Sequence, residues 1–140
     1  MGLRKKEVEK AAAFHRRQLR KLLGIRWPQK ISNRALYKIT GTTNLETFVT
    51  TARMKMLGHT LRLDPATPAQ QAMDLYFSAG RRPRGHPRAC LASAVAEDFS
   101  KLELRFRTAN DLARAREIAA DRDRWRELVA SLATKVPSRR

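Results

Sequence analysis

Side chains that could do covalent or metal chemistry are few in this sequence and widely spread. The histidines are His15, His59 and His86, and the one cysteine is Cys90. Only His86 and Cys90 share the i,i+4 spacing that brings two side chains to one face of a helix, and two ligands do not close a tetrahedral zinc site. A single cysteine also excludes an intrachain disulfide and a zinc knuckle, so the chain suits a reducing compartment. Glu97-Asp98 and Asp121 with Asp123 are the acid pairs from which a two-metal site would be built. Adjacent helical residues point about 100° apart, and Asp121 is better placed as a helix cap, so neither pair is expected to hold metal. No glycine-rich phosphate loop, nucleophile elbow or local Cys/His signature occurs. The expectation is a chain that is not an enzyme, with no cofactor, no metal and no small-molecule substrate.

Positive charge is abundant instead. Lys and Arg number 30 against 13 Asp and Glu, a formal net charge of +17 over 140 residues, while a hydrophobic fraction of 42% still suffices for a globular core. Such a field draws polyanions through Coulomb attraction and counterion release. Twelve of the cations fall in the first 40 residues beside only two acids, Glu7 and Glu9. Residues 91–140 hold 11 basic and eight acidic groups and read as nearly balanced scaffold. Arg114, Arg116, Arg122, Arg124 and Arg126 have acidic neighbours there and read as solvated surface.

The uncompensated cations form three groups. Lys6, Lys10, Arg17, Arg20 and Lys21 lie opposite an apolar stripe of Val8, Ala11, Ala12, His15, Leu19, Leu22 and Leu23 on a first helix that Gly24 ends. His15, within that stripe, reads as a half-buried histidine with one hydrogen-bonded nitrogen. Lys55 and Arg62 are seven residues apart and emerge on one flank of a central helix, with His59 beside them and Gly58 positioned to admit a backbone or a phosphate. The stretch Gly80-Arg-Arg-Pro-Arg-Gly-His-Pro-Arg88 carries two glycines, two prolines and four arginines, a composition that predicts an exposed basic loop. Its Arg84-Gly85-His86-Pro87 approaches the Arg-Gly-Arg-Pro of AT-hook segments, with His in place of the second Arg, which favours phosphate binding with little base readout. The expected nucleic-acid contacts are Arg16, Arg17, Arg20, Lys21, Lys55, His59, Arg62, Arg81, Arg82, Arg84, His86 and Arg88.

Hydrophobic spacing is helical almost throughout, with no period-two alternation, and predicts an all-α protein: an irregular bundle of six or seven helices. Ser32 is placed as an N-cap with Ile31 and Leu36 as a hydrophobic staple, and a short helix should run to Gly41. Asn44 caps a longer helix with Leu45, Phe48, Val49, Ala52 and Met56 on one stripe and Met54, Leu57 and Leu61 on another, the pattern of a helix sandwiched on two sides. A helix around Gln70 to Phe77 follows Asp64-Pro65 and Pro68, and Leu91, Val95, Phe99 and Leu102 mark the next. Thr108 with Asp111 opens another through a variant capping box, and Asp121 caps a last one bearing Trp125, Leu128, Val129 and Leu132. One helical domain over 1–136 and a disordered basic tail over 137–140 is the expected division. No signal peptide, myristoylation signal or apolar run approaching about 18 residues occurs, so a nuclear or cytoplasmic location is expected.

Six fragments, in this order, carry a family resemblance. They are Phe14-His-Arg-Arg-Gln-Leu-Arg-Lys-Leu-Leu-Gly-Ile-Arg-Trp-Pro28, Ile31-Ser-Asn-Arg-Ala-Leu-Tyr-Lys-Ile-Thr-Gly41, Met56-Leu-Gly-His-Thr-Leu-Arg62, Gly85-His-Pro-Arg88, Glu97-Asp98-Phe99 and Asp121-Arg-Asp-Arg-Trp-Arg126. Between residues 10 and 130 the chain resembles the C-terminal, thumb and post-thumb region of endonuclease-reverse transcriptases from non-LTR (LINE-like) retrotransposons. The resemblance implies a non-catalytic module that grips template RNA or target DNA, and a reverse transcriptase body as a second partner. Neither the Asp-Asp polymerase motif nor the endonuclease domain of that family is present in this sequence. An assembly segment is the alternative reading, because Phe14 lies off the main apolar stripe and could dock on a polymerase body or on a second copy. A membrane partner is not expected, since Ala11, Ala12 and His15 leave the first stripe poor in bulky groups.

Overall fold

Local signals set where each helix begins and ends. The computed structural model describes residues 5–78, 91–102 and 104–135. These residues fold as α1 (Lys5–Leu22), α2 (Asn33–Thr40), α3 (Leu45–Leu61), α4 (Pro68–Ser78), α5 (Leu91–Ser100), α6 (Ala109–Ala120) and α7 (Arg122–Lys135), with no strand among them. After α1 the chain turns through Gly24 at φ 66°, and the Ile25 N–H reaches back to the Arg20 carbonyl at 3.0 Å. Ser32 Oγ accepts the Ala35 N–H at 3.2 Å to open α2, and Gly41 at φ 63° closes it. Asn44 Oδ1 accepts the Glu46 N–H at the start of α3. Pro68 is the first residue of α4, where its missing N–H would have had no helical partner anyway. Thr108 and Asp111 form the full capping box of α6, and Asp121 Oδ1 accepts the N–H groups of Asp123 and Arg124 at the start of α7.

The bundle is built around α3, which packs against α1, α4, α5, α6 and α7. Its main core gathers Met54, Leu57 and Leu61 with Val95, Phe99, Phe106, Leu112, Ala115, Ile118, Ala119, Trp125, Val129 and Leu132. Aromatic rings form its centre: Phe99 stacks on Phe106 with centroids 4.8 Å apart, and Phe77 meets Phe106 edge-on at 5.0 Å. α1 and α2 pack together, and α1 rests on α3. Their fully buried apolar residues are Ala12 and Leu36, so this contact is thinner than the main core.

Three expectations need correction. α3 is buried along one continuous stripe, Thr47, Thr50, Met54, Leu57 and Leu61, whereas Phe48, Ala52 and Met56 are exposed. Spacings of three, four, three and four residues hold the two threonines in register with the apolar residues. On α1, the stripe runs out at its C-terminal end: Ala11, Leu22 and Leu23 are exposed. His15 is half-buried and faces Tyr37 with ring centroids 6.2 Å apart, but its Nδ1 is buried without a hydrogen-bond partner among the described residues. The expected basic loop over 80–88 and the tail over 137–140 lie outside the described residues. No helix among the described residues is long and apolar enough to cross a membrane.

Candidate nucleic-acid interface

On α1 the apolar arc faces α2 and α3, so the lysines and arginines on the other arc must face water. Lys6, Lys10, Arg17 and Lys21 are exposed and make no hydrogen bond or ion pair among the described residues. Lys10, Arg17 and Lys21 follow one another at seven and four residues along a single face, a rise of about 16 Å from first to last. Phe14 sits in the middle of them, four residues after Lys10 and three before Arg17, and is 62% exposed. Arg16 is half-buried at the edge of this face.

Arg20 is used by the fold. Its Nη2 donates to the Ile31 carbonyl at 3.2 Å and to Asn33 Oδ1 at 2.7 Å, tying the end of α1 to the entrance of α2. Arg62 is used in the same way. It stands at the C-cap of α3, and its Nη1 donates to the Ala119 carbonyl at 3.0 Å in the last turn of α6. Carbonyls there have no intrahelical donor and carry the negative end of the helix dipole, which is where a guanidinium is most favourable. The expected ridge on α3 therefore reduces to Lys55 and His59, both exposed; the exposed Phe48 lies in line with them, and the exposed Met56 flanks them.

Gly58 does not admit a phosphate. A Cβ built there would lie 2.6 Å from two indole carbons of Trp125, so Trp125 already occupies the approach. The indole N–H donates to the Met54 carbonyl at 3.1 Å in the buried interior.

Two polar clusters escaped the sequence reading. Asp98 is 2% exposed, and its two oxygens accept from Arg53 Nη1 at 2.7 Å and Lys101 Nζ at 3.0 Å. The signal was available: Asp98 lies three residues after Val95 and beside Phe99, on the buried face of α5, where a carboxylate requires a cation. Arg116, expected as solvated surface, is half-buried and donates to Gln70 Oε1 at 2.5 Å and Asp74 Oδ1 at 2.7 Å. Gln70 is itself buried and donates its amide N–H to the Thr60 carbonyl at 2.7 Å, so the last turn of α3 is latched to α4 and α6. Among the described residues Arg126 pairs with Asp123 at 2.6 Å with both side chains open to water, and Arg114, Arg122 and Arg124 are exposed, as expected of solvated surface. On α6, backbone N–H groups of Arg107 and Thr108 donate to the Asp111 carboxylate and hold it below the usual aspartate range.

The turn between α1 and α2 adds an unforeseen feature. Trp27 is 87% exposed there, with exposed Arg26 and Lys30 on either side of it in the chain. In the sequence Trp27 figures only as part of the first resemblance fragment, with no contact role assigned to it. Arg81, Arg82, Arg84, His86 and Arg88, with Cys90, lie outside the described residues. Among the described residues no three His, Cys, Asp or Glu side chains come together in a metal-binding group. No family model, no curated protein and no solved structure matches this chain.

Proposed function

We propose that this chain is a non-catalytic nucleic-acid-binding module that grips RNA or DNA mainly through backbone phosphates, in the manner implied by its resemblance to the region behind the polymerase of non-LTR reverse transcriptases. The observation that supports this most is the outer face of α1, where Lys10, Arg17 and Lys21 stand exposed without a carboxylate partner. Unpaired surface cations at this density repel one another and gain little for the fold, but each one that meets a phosphate releases condensed counterions. Arg16 and Lys6 widen the face, Lys55 and His59 supply a smaller second patch, and Arg81, Arg82, Arg84 and Arg88 extend the proposed set from the sequence alone. Arg20 and Arg62 act through the fold, holding α1 on α2 and α3 on α6. An electrophoretic or anisotropy titration against labelled RNA and DNA checks the reading. Binding should weaken steeply as salt rises, and affinity that barely responds to salt would rule out the phosphate mechanism.

A second reading is favoured by α3, where Phe48 is 61% exposed and the flanking Met56 48%. That pair suits docking on another polypeptide, a polymerase body or a second copy of this chain. Light scattering of the chain and of its Phe48→Asp variant distinguishes the self-association form: a larger mass that falls to the monomer supports it, and an unchanged monomer excludes it.

A further inference from the structure

Aromatic residues among those described range from fully buried to open to water. Phe99, Phe106 and Trp125 are buried and Phe77 packs on the same core, whereas Phe14, Trp27 and Phe48 stand open to water; Phe14 and Trp27 each have several unpaired cations around them in the chain, and Phe48 shares its face with Lys55 alone. We infer that the polynucleotide taken by the α1 face is single-stranded, with bases stacking on Phe14 and Trp27 between phosphate contacts. This rests on the nucleic-acid reading given above. A duplex turns its phosphates outward and hides the faces of its bases, so it would use Lys10, Arg17 and Lys21 and leave both rings idle. A single strand offers phosphate and ring face together, and stacking on an aromatic is tolerant of sequence because every base has a π face.

The placement of Phe14 fits such a strand. Lys10 stands one turn before it, Arg17 one turn after it, and Lys21 two turns after it, so phosphates on either side of a stacked base meet cations along the same face. Trp27 follows where the chain leaves α1, and Arg26 and Lys30 give it the same company. A protein partner is the poorer occupant of this face. Covering Phe14 with an apolar surface would strip water from Lys10, Arg17 and Lys21 without supplying anions, and cores of protein interfaces are depleted of lysine for that reason.

Anisotropy of the full chain with a labelled oligouridylate and with a hairpin RNA duplex, at matched salt, provides the test. The oligouridylate should bind more tightly than the duplex. Phe14→Ala and Trp27→Ala should each weaken oligouridylate binding about ten-fold, leave duplex binding and the salt slope unchanged, and Phe14→Trp should restore the affinity. Intrinsic fluorescence gives an independent readout, because Trp125 is buried at 3% exposure and Trp27 is not. Oligouridylate should quench the emission, and Trp27→Phe should abolish that quenching. Both rings are exposed, so circular dichroism of the variants should match the parent. Full oligouridylate affinity in both alanine variants, with salt-dependent binding retained, would overturn stacking and leave the phosphate reading standing. Absence of binding to either RNA at low salt would remove the phosphate reading itself. A dimer that Phe14→Asp converts to monomer, with RNA binding unchanged, would assign the ring to self-association.

Discussion

At position 58 a hydrogen stands where other residues carry a Cβ, and the Trp125 indole fills the space with its N–H bonded to the Met54 carbonyl. Helix propensity alone would make Gly58→Ala favourable by about 1 kcal/mol. The collision with a buried ring opposes this, and overpacking of that kind costs about 1–3 kcal/mol, so urea denaturation should show a net loss of stability. Combined with Trp125→Leu, which vacates the space, the two changes should cost less than their sum. A second residue carries a larger effect. Asp98 accepts from both Arg53 and Lys101 at the core edge, and Asp98→Ala leaves the largely buried Arg53 guanidinium without its partner. Loss of one member of a buried pair costs about 3–5 kcal/mol, and the same denaturation experiment should place this variant well below Gly58→Ala. Neither role was readable from residue type alone. A glycine is equally suited to a phosphate and to an indole, and only the fold brings Trp125, 67 positions later, against Gly58.

Helices were read more securely than contacts, because caps and breakers act within a few residues. Ser32, Asn44, Thr108 with Asp111, and Asp121 all cap where their types and spacing placed them. Thr108→Ala should therefore cost about 1 kcal/mol. Asp111 adds a pH dependence. Its carboxylate is held below the usual aspartate range in the folded chain by backbone donors, so its contribution is fully present above the unfolded value, about 3.9, and is lost as pH falls through the folded one. Asp111→Asn should flatten the acid limb of the stability profile and leave its slope near neutrality unchanged. The packing of α3 was less readable. Phe48 and Met56 outrank Thr47 and Thr50 in hydrophobicity, but register with Met54, Leu57 and Leu61 decided which side was buried. The apolar side left open by that choice is the surface that the assembly reading would use.

For the molecule as a whole, the net charge of +17 is distributed in a way that separates scaffold from surface. Arg53, Arg116 and Lys101 are paired with acids on other helices or turns, and Arg20 and Arg62 bind carbonyls, so part of the positive charge holds the bundle together. Among the described residues, α1 and the turn after it carry Lys6, Lys10, Arg16, Arg17, Lys21, Arg26 and Lys30 without an ion-pair partner, while Arg105, Arg107, Arg114, Arg122 and Arg124, likewise unpaired, lie among the acids of the last third. The sequence could not divide the α1 cations further, since Arg17 and Arg20 look alike until Ile31 and Asn33 claim one of them. The most direct measurement is the slope of log affinity against log salt for single-stranded RNA, compared between the parent chain and a Lys10→Ala, Arg17→Ala, Lys21→Ala triple variant. At about 0.7 per phosphate neutralised, removing three contacts should flatten the slope by about two. A slope near zero in the parent, or an identical steep slope in the triple variant, would contradict phosphate binding by this face.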